Sequence, residues 1–306
     1  MRDDIMQPMI QDPNQAPVKG PDARLAAAIA GQYDFTLKNI FDEAWAKTKG
    51  FKTTYWGALG VTVLISILLI MAVMLTSTLV GVFTGGIVDG KLVLNNPWAE
   101  MTGIPVPMLV TMCVLVSLAL IVILPLFGGL WLLSIHHVAG RPITLKMVFG
   151  CFQKPLRYWL TSAWTGILFE IPRMLAGPLA TYLAVGVGLG VVAYWLCVPL
   201  AVAIWLYIFA SYYFTMPLLA ERKLRTWQAL EASRKAVGHH WFKVFSTLLI
   251  IVLVSMLIPG VVIGALAGGV HKLSVVVGII FIWLIPFYAL CIAIMYREIF
   301  GVSPAA

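Results

Sequence analysis

Charge is scarce in this chain of 306 residues: 11% are Asp, Glu, Lys or Arg, while 61% are hydrophobic. A soluble domain carries about 25% charged residues, so water cannot be the solvent for most of this surface. Cysteine is scarce too. Cys113, Cys151, Cys197 and Cys291 are far apart, and three lie inside apolar runs. With no C-x-x-C, this spacing excludes a disulfide framework and reads as small buried hydrophobes. Enzyme signatures are missing: there is no H-E-x-x-H, no G-x-S-x-G and no G-x-x-x-x-G-K-[ST]. No apolar run precedes a small-residue cleavage site in the first 35 residues, which hold Asp3, Asp4, Asp12, Asp22 and four prolines. That stretch reads as a flexible polar tail, and the first span is expected to act as the targeting signal as well.

Long apolar runs are abundant. Six segments reach the roughly 18 residues that cross a bilayer core, at 57–83, 105–138, 159–187, 190–218, 242–268 and 273–296. The third and fourth are separated only by Gly186-Val-Gly-Leu-Gly190, read as a tight turn. Eighteen Lys/Arg residues fall in the segment ending at Trp56, the 139–158 and 219–243 loops and at Arg297. The intervening loops hold only Lys91 and Lys272. The positive-inside rule then expects both termini in the cytoplasm. The net charge of +8 is read as a topology signal with attraction to anionic headgroups, and not as nucleic-acid binding, because it is scattered over membrane-proximal loops.

Three stretches of 17 residues precede spans in the same way: Ile40 to Trp56, Ile143 to Trp159 and Arg225 to Trp241. Aligned without gaps, they place Thr48, Cys151 and Ser233 in one column, and Tyr55, Tyr158 and His240 before the terminal Trp. In the third, Trp227, Leu230, Ser233 and Val237 share one helical side. Gln228, Glu231 and Lys235 lie on another. G-x-x-x-G pairs follow at Gly81/Gly85, Gly186/Gly190 and Gly264/Gly268, a spacing that allows close helix approach in lipid. Each second span carries a proline: Pro125, Pro199 and Pro286. The expectation is an all-α membrane protein of six transmembrane helices, arranged as three repeats of interfacial amphipathic helix plus hairpin. It comprises a cytoplasmic tail (1–35) and a single membrane domain (36–300).

Between Pro217 and Phe245 the chain resembles uncharacterised bacterial inner-membrane proteins of the domain-of-unknown-function 975 and stress-protein-like groups. It is also similar there to the membrane part of some glycerophosphodiester phosphodiesterases. The residues that carry the resemblance are Pro217, Leu218, Arg222, Lys223, Ala229, Leu230, Ser233, Trp241 and Phe245. Glu221 stands where relatives usually have Asp, and His240 where Asn is frequent. The resemblance is specific over about thirty residues. It implies a six-helix fold in a bacterial inner membrane and no catalytic residues; the phosphodiesterase catalytic domain is not present.

Two groups are candidate sites. Glu170 and Arg173 fall near the middle of the third span and share a face at i,i+3; ionisable residues at such depth are costly and often functional. Arg222, Lys223 and Arg225, with Trp227, form a basic cluster suited to anionic lipid phosphate. His136-His137 and His239-His240 lie at span ends, but adjacent helical residues diverge by about 100°, and they read as interfacial caps, with no metal or cofactor implied. The expected function is non-enzymatic engagement of membrane lipids, with anionic headgroups at the cytoplasmic face, or of a partner membrane protein, in membrane homeostasis or assembly. The alternative is a transporter or lipid-handling protein with a cavity at Glu170 and Arg173.

Overall fold

The structure is a computed structural model that describes residues 21–85, 87–88, 91–92, 106–253 and 271–302. Its helices are α1 (Pro21–Ile29), α2 (Leu37–Lys47), α3 (Lys52–Gly85), α4 (Val106–Val138), α5 (Pro155–Thr181), α6 (Val192–Tyr212), α7 (Thr215–Arg222), α8 (Thr226–His239), α9 (Trp241–Leu253) and α10 (His271–Phe300). A 3₁₀ helix (Leu145–Gln153) precedes α5, and a two-residue β ladder pairs Ile87–Val88 with Lys91–Leu92. Pro125, Pro199 and Pro286 lie inside α4, α6 and α10 without ending them.

Among the described residues three helical runs are long and apolar enough to cross a membrane: Lys52–Val80, Met108–Val138 and Val192–Arg222. The pair α8 and α9, bent by 101°, makes a fourth if it is one span. The expected third span lies in α5 and falls short of this group. Arg157, Glu170 and Arg173, with Thr161, Ser162 and Thr165, dilute its apolar content. The fifth expected span is described only to Leu253, and Gly264/Gly268 lie outside the described residues. Gly188 (φ +77°) and Gly190 (φ +55°) shape the expected turn between α5 and α6. The Gly186/Gly190 pair therefore serves a reversal of the chain and not a helix–helix seam.

The core gathers at one end of the bundle, here called the basic end. Phe51, Leu126, Leu133, Phe214, Leu290, Tyr296 and Phe300 are fully buried there, where α1, α2, α8 and the last turns of α10 converge. Away from it the helices expose large apolar side chains, among them Leu64, Leu68 and Met71 of α3 and Trp195 and Leu200 of α6. Such surface belongs against lipid. Residues 21–35, expected to be part of a flexible tail, are ordered on this end. The Tyr33 hydroxyl donates to the Ala236 carbonyl at 2.9 Å, Lys243 pairs with Asp34, and α1 packs on α8 and α10. Packing on the domain thus includes α1 and the segment that follows it.

In each of the three aligned stretches a helical segment breaks before a second helix begins. The breaks fall at Thr48–Phe51, Lys154 and His240, so the third comes about one turn later in the alignment. Thr48, Cys151 and Ser233 are all buried. Six residues beyond each Trp stands a threonine, and all three donate to the carbonyl four residues back. These bonds are Thr62 to Ala58 (2.9 Å), Thr165 to Thr161 (2.7 Å) and Thr247 to Lys243 (2.9 Å). Trp227 departs from its expected place. The buried face of α8 is Ala229, Leu230, Ala232, Ser233, Ala236 and Val237, and Trp227 lies off it, 67% exposed.

Candidate anion-binding site

Close approach of backbones builds a cleft at the basic end. A Cβ on Gly129 of α4 would stand 2.1 Å from the Val148 carbonyl oxygen, and one on Gly128 would stand 2.6 Å from the Tyr158 ring. The absence of side chains at these two positions brings α4 against the 3₁₀ helix and the start of α5. From the other side α7 folds over the same place, with Pro217, Leu218, Leu219, Ala220 and Glu221 buried. Between them lies a cleft of about 370 Å³, a volume suited to a small ligand or headgroup.

Its walls carry cations from three parts of the chain: Arg141 after α4, Lys154 and Arg157 at the start of α5, and Lys223 at the end of α7. Among the described residues Lys154, Arg157 and Lys223 form no ion pair. Lys154 is also the N-cap of α5 and makes no side-chain cap bond, so the positive end of a 27-residue helix adds to the field. Lys223 adopts φ +54°, the one non-glycine residue with positive φ among those described. A lysine gains nothing from this backbone by itself, and strain of this kind gathers at functional positions. The Cys151 thiol and the Tyr158 side chain lie on the same wall. Burial pushes the thiol above its ordinary value, against opposing effects of Tyr158 and Lys223. A protonated thiol is a poor nucleophile.

The expected basic cluster is divided by the fold. Lys223 lines the cleft, whereas Arg222 turns into the core, donating to the Phe300 carbonyl at 2.6 Å and standing 3.5 Å from the Glu221 carboxylate. Glu221 also accepts from the Tyr296 hydroxyl at 3.0 Å. Arg225 begins α8, its backbone N–H donating to Gln228 at 3.2 Å, and neither it nor Trp227 lines the cleft. The contribution of Arg141, Lys154, Arg157 and His136 was not foreseen. The visible signal was the density of basic residues in the 139–158 loop, which the topology argument absorbed.

Glu170 and Arg173 pair at 2.5 Å as expected, but on an exposed face, with side chains 50% and 74% accessible. A groove of about 380 Å³ between α5 and α6 includes Arg173 and otherwise Pro172, Ala176, Gly177, Val198, Ala201, Val202 and Trp205. Glu170 is not part of its lining. The histidines cap chain ends: Nε2 of His137 meets the Lys47 carbonyl at 2.8 Å, that of His239 the Ile29 carbonyl at 2.9 Å, and that of His240 the Gly31 carbonyl at 3.0 Å. A carbonyl only accepts, so each Nε2 carries the hydrogen. No group of three His, Cys, Asp or Glu side chains is placed to hold a metal among the described residues.

No protein-family model, curated protein or solved structure matches the chain.

Proposed function

We propose that this is a non-enzymatic membrane protein that holds the headgroup of an anionic phospholipid in the cleft at its basic end. The observation that carries the proposal is the convergence of Arg141, Lys154, Arg157 and Lys223 on one cavity beside the N-terminus of α5. Helix N-termini and cationic side chains together bind phosphate well. In this reading the chain has six spans in a bacterial inner membrane, with both termini cytoplasmic, so the cleft lies at the level of the inner-leaflet headgroups. The one buried column of Thr48, Cys151 and Ser233 and the three back-bonded threonines support a threefold repeat of interfacial segment plus hairpin. The exposed apolar flanks of α3, α4, α5 and α6 would meet acyl chains or a partner membrane protein.

Native mass spectrometry of the detergent-released protein tests this. The wild type should retain an anionic lipid, and the triple variant Lys154→Gln/Arg157→Gln/Lys223→Gln should lose it while keeping its melting behaviour. An unchanged lipid complement in the triple variant would remove the cleft from consideration. Loss of a bound small molecule in Glu170→Gln instead would favour the alternative, transport or lipid handling beside Glu170 and Arg173.

A further inference from the structure

We infer that the cleft selects a phosphate monoester, a group carrying close to two negative charges, over a singly charged phosphodiester. This deepens the headgroup reading and rests on the cleft being the ligand site.

The argument is one of charge balance. Among the described residues Glu221 is the only carboxylate on the cleft wall, and its side chain is 1% accessible, committed to the Tyr296 hydroxyl and the Arg222 guanidinium. It therefore does little to offset the cations that face the cavity. Lys154, Arg157 and Lys223 alone bring three positive charges without an ion pair among the described residues. The start of α5 adds about half a charge more. A phosphodiester supplies one negative charge and leaves most of this field unanswered. A monoester at neutral pH carries about −1.5 to −2 and three terminal acceptor oxygens. Those oxygens suit donors arriving from different directions, as here from the start of α5 and the end of α7. Arg157 offers a planar fork for two of them, while Lys154 and Lys223 act as point charges. The left-handed backbone at Lys223 fits the same picture, since it holds a charge-bearing residue where glycine would be the relaxed choice.

The test compares ligands on the full chain in detergent, by titration followed with native mass spectrometry. The probes are phosphatidic acid, phosphatidylglycerol and soluble glycerol 3-phosphate. Phosphatidic acid should bind about tenfold tighter than phosphatidylglycerol, equivalent to about 1.4 kcal/mol. The preference should shrink in Arg157→Gln and in Lys223→Gln, and Lys223→Arg should restore it. Equal affinity for the two lipids, with both lost in the triple variant, would overturn the monoester inference and leave the lipid reading standing. Binding of glycerol 3-phosphate without either lipid, abolished in the triple variant, would uphold the monoester and overturn the lipid headgroup as its source. No cleft-dependent binding of any probe would overturn both.

Discussion

Two glutamate–arginine pairs in this protein share their chemistry and differ in everything around it. Glu221 and Arg222 are 1% and 5% accessible and tied to Tyr296 and the Phe300 carbonyl, so that α7 is fastened to the end of α10. Glu170 and Arg173 are 50% and 74% accessible, side by side on one face of α5. The sequence made the second pair the more conspicuous, since it interrupts a span. The structure gives the first pair the greater consequence, because breaking a buried pair leaves an uncompensated charge in the core, whereas the second joins two residues of one helix and fastens nothing else.

The widest separation between the two should appear on deleting the buried carboxylate. Glu221→Ala strands Arg222 and the Tyr296 hydroxyl, and breaking such a pair costs about 3–5 kcal/mol. Denaturant or thermal melts in detergent should show a large loss, together with release of α7 from the end of α10 in hydrogen exchange. A variant as stable as wild type would mean that the network does not hold α7. Gly129→Ala should come next. Its methyl would meet the Val148 backbone, forcing apart the two walls of the cleft at about 1–3 kcal/mol, and bound lipid should fall with stability.

The sequence made the all-helical framework and the α5–α6 turn plain, through apolar run length and the glycines at 186–190. It placed His137, His239 and His240 at helix ends, where they cap carbonyls, whereas His136 lines the cleft. The cleft was hidden for a physical reason. The chain from 190 to 218 reads as one unbroken apolar segment, and a two-residue break at Tyr213 and Phe214 is all that sets α7 apart within the run Val192–Arg222. An eight-residue helix buried on several sides has no periodicity that separates it from the tail of a span. What brings Lys223 beside Lys154 and Arg157 is the packing of α7 against α4 and α5, a tertiary contact that sequence does not display. Adjacent Arg222 and Lys223 looked alike in sequence, and only the left-handed step at Lys223 sends one away from the core while the other stays within it. Residues 21–35 are hidden in a similar way, since part of their anchoring is through the Ile29 and Gly31 backbone carbonyls, which composition cannot reveal.

That left-handed step gives a smaller prediction of opposite sign. Lys223→Gly relieves an unfavourable backbone conformation and should raise stability by about 1 kcal/mol, while weakening retention of the anionic lipid. Gain in one measurement with loss in the other would mark Lys223 as kept for binding. Parallel changes would mark it as structural.

A gentler contrast lies in α2. The Arg297 guanidinium donates to both Glu43 carboxylate oxygens, at 2.6 and 2.7 Å. It holds that carboxyl below its ordinary 4.5, with partial opposition from burial. A depressed carboxyl stabilises the fold above its ordinary value and loses that contribution as pH falls through the shifted one. Docking of α2 on α10 should therefore be steady at neutral pH and loosen only below about 4.5, as read by hydrogen exchange in α2. Glu43→Gln should remove this pH dependence.

The smallest effect is expected where the sequence drew most attention. Replacing Glu170 and Arg173 together by glutamine removes both charges at once, so that neither is left without its partner. The double variant should melt within about 1 kcal/mol of wild type and keep the same bound lipid, because the pair neither lines the basic cleft nor fastens one helix to another. Glu170→Gln alone should be the less stable of the two, since it leaves Arg173 without its partner. If the double variant folds normally and yet loses a bound molecule, the exposure of the pair is an opening onto a ligand. The function would then belong beside the groove between α5 and α6.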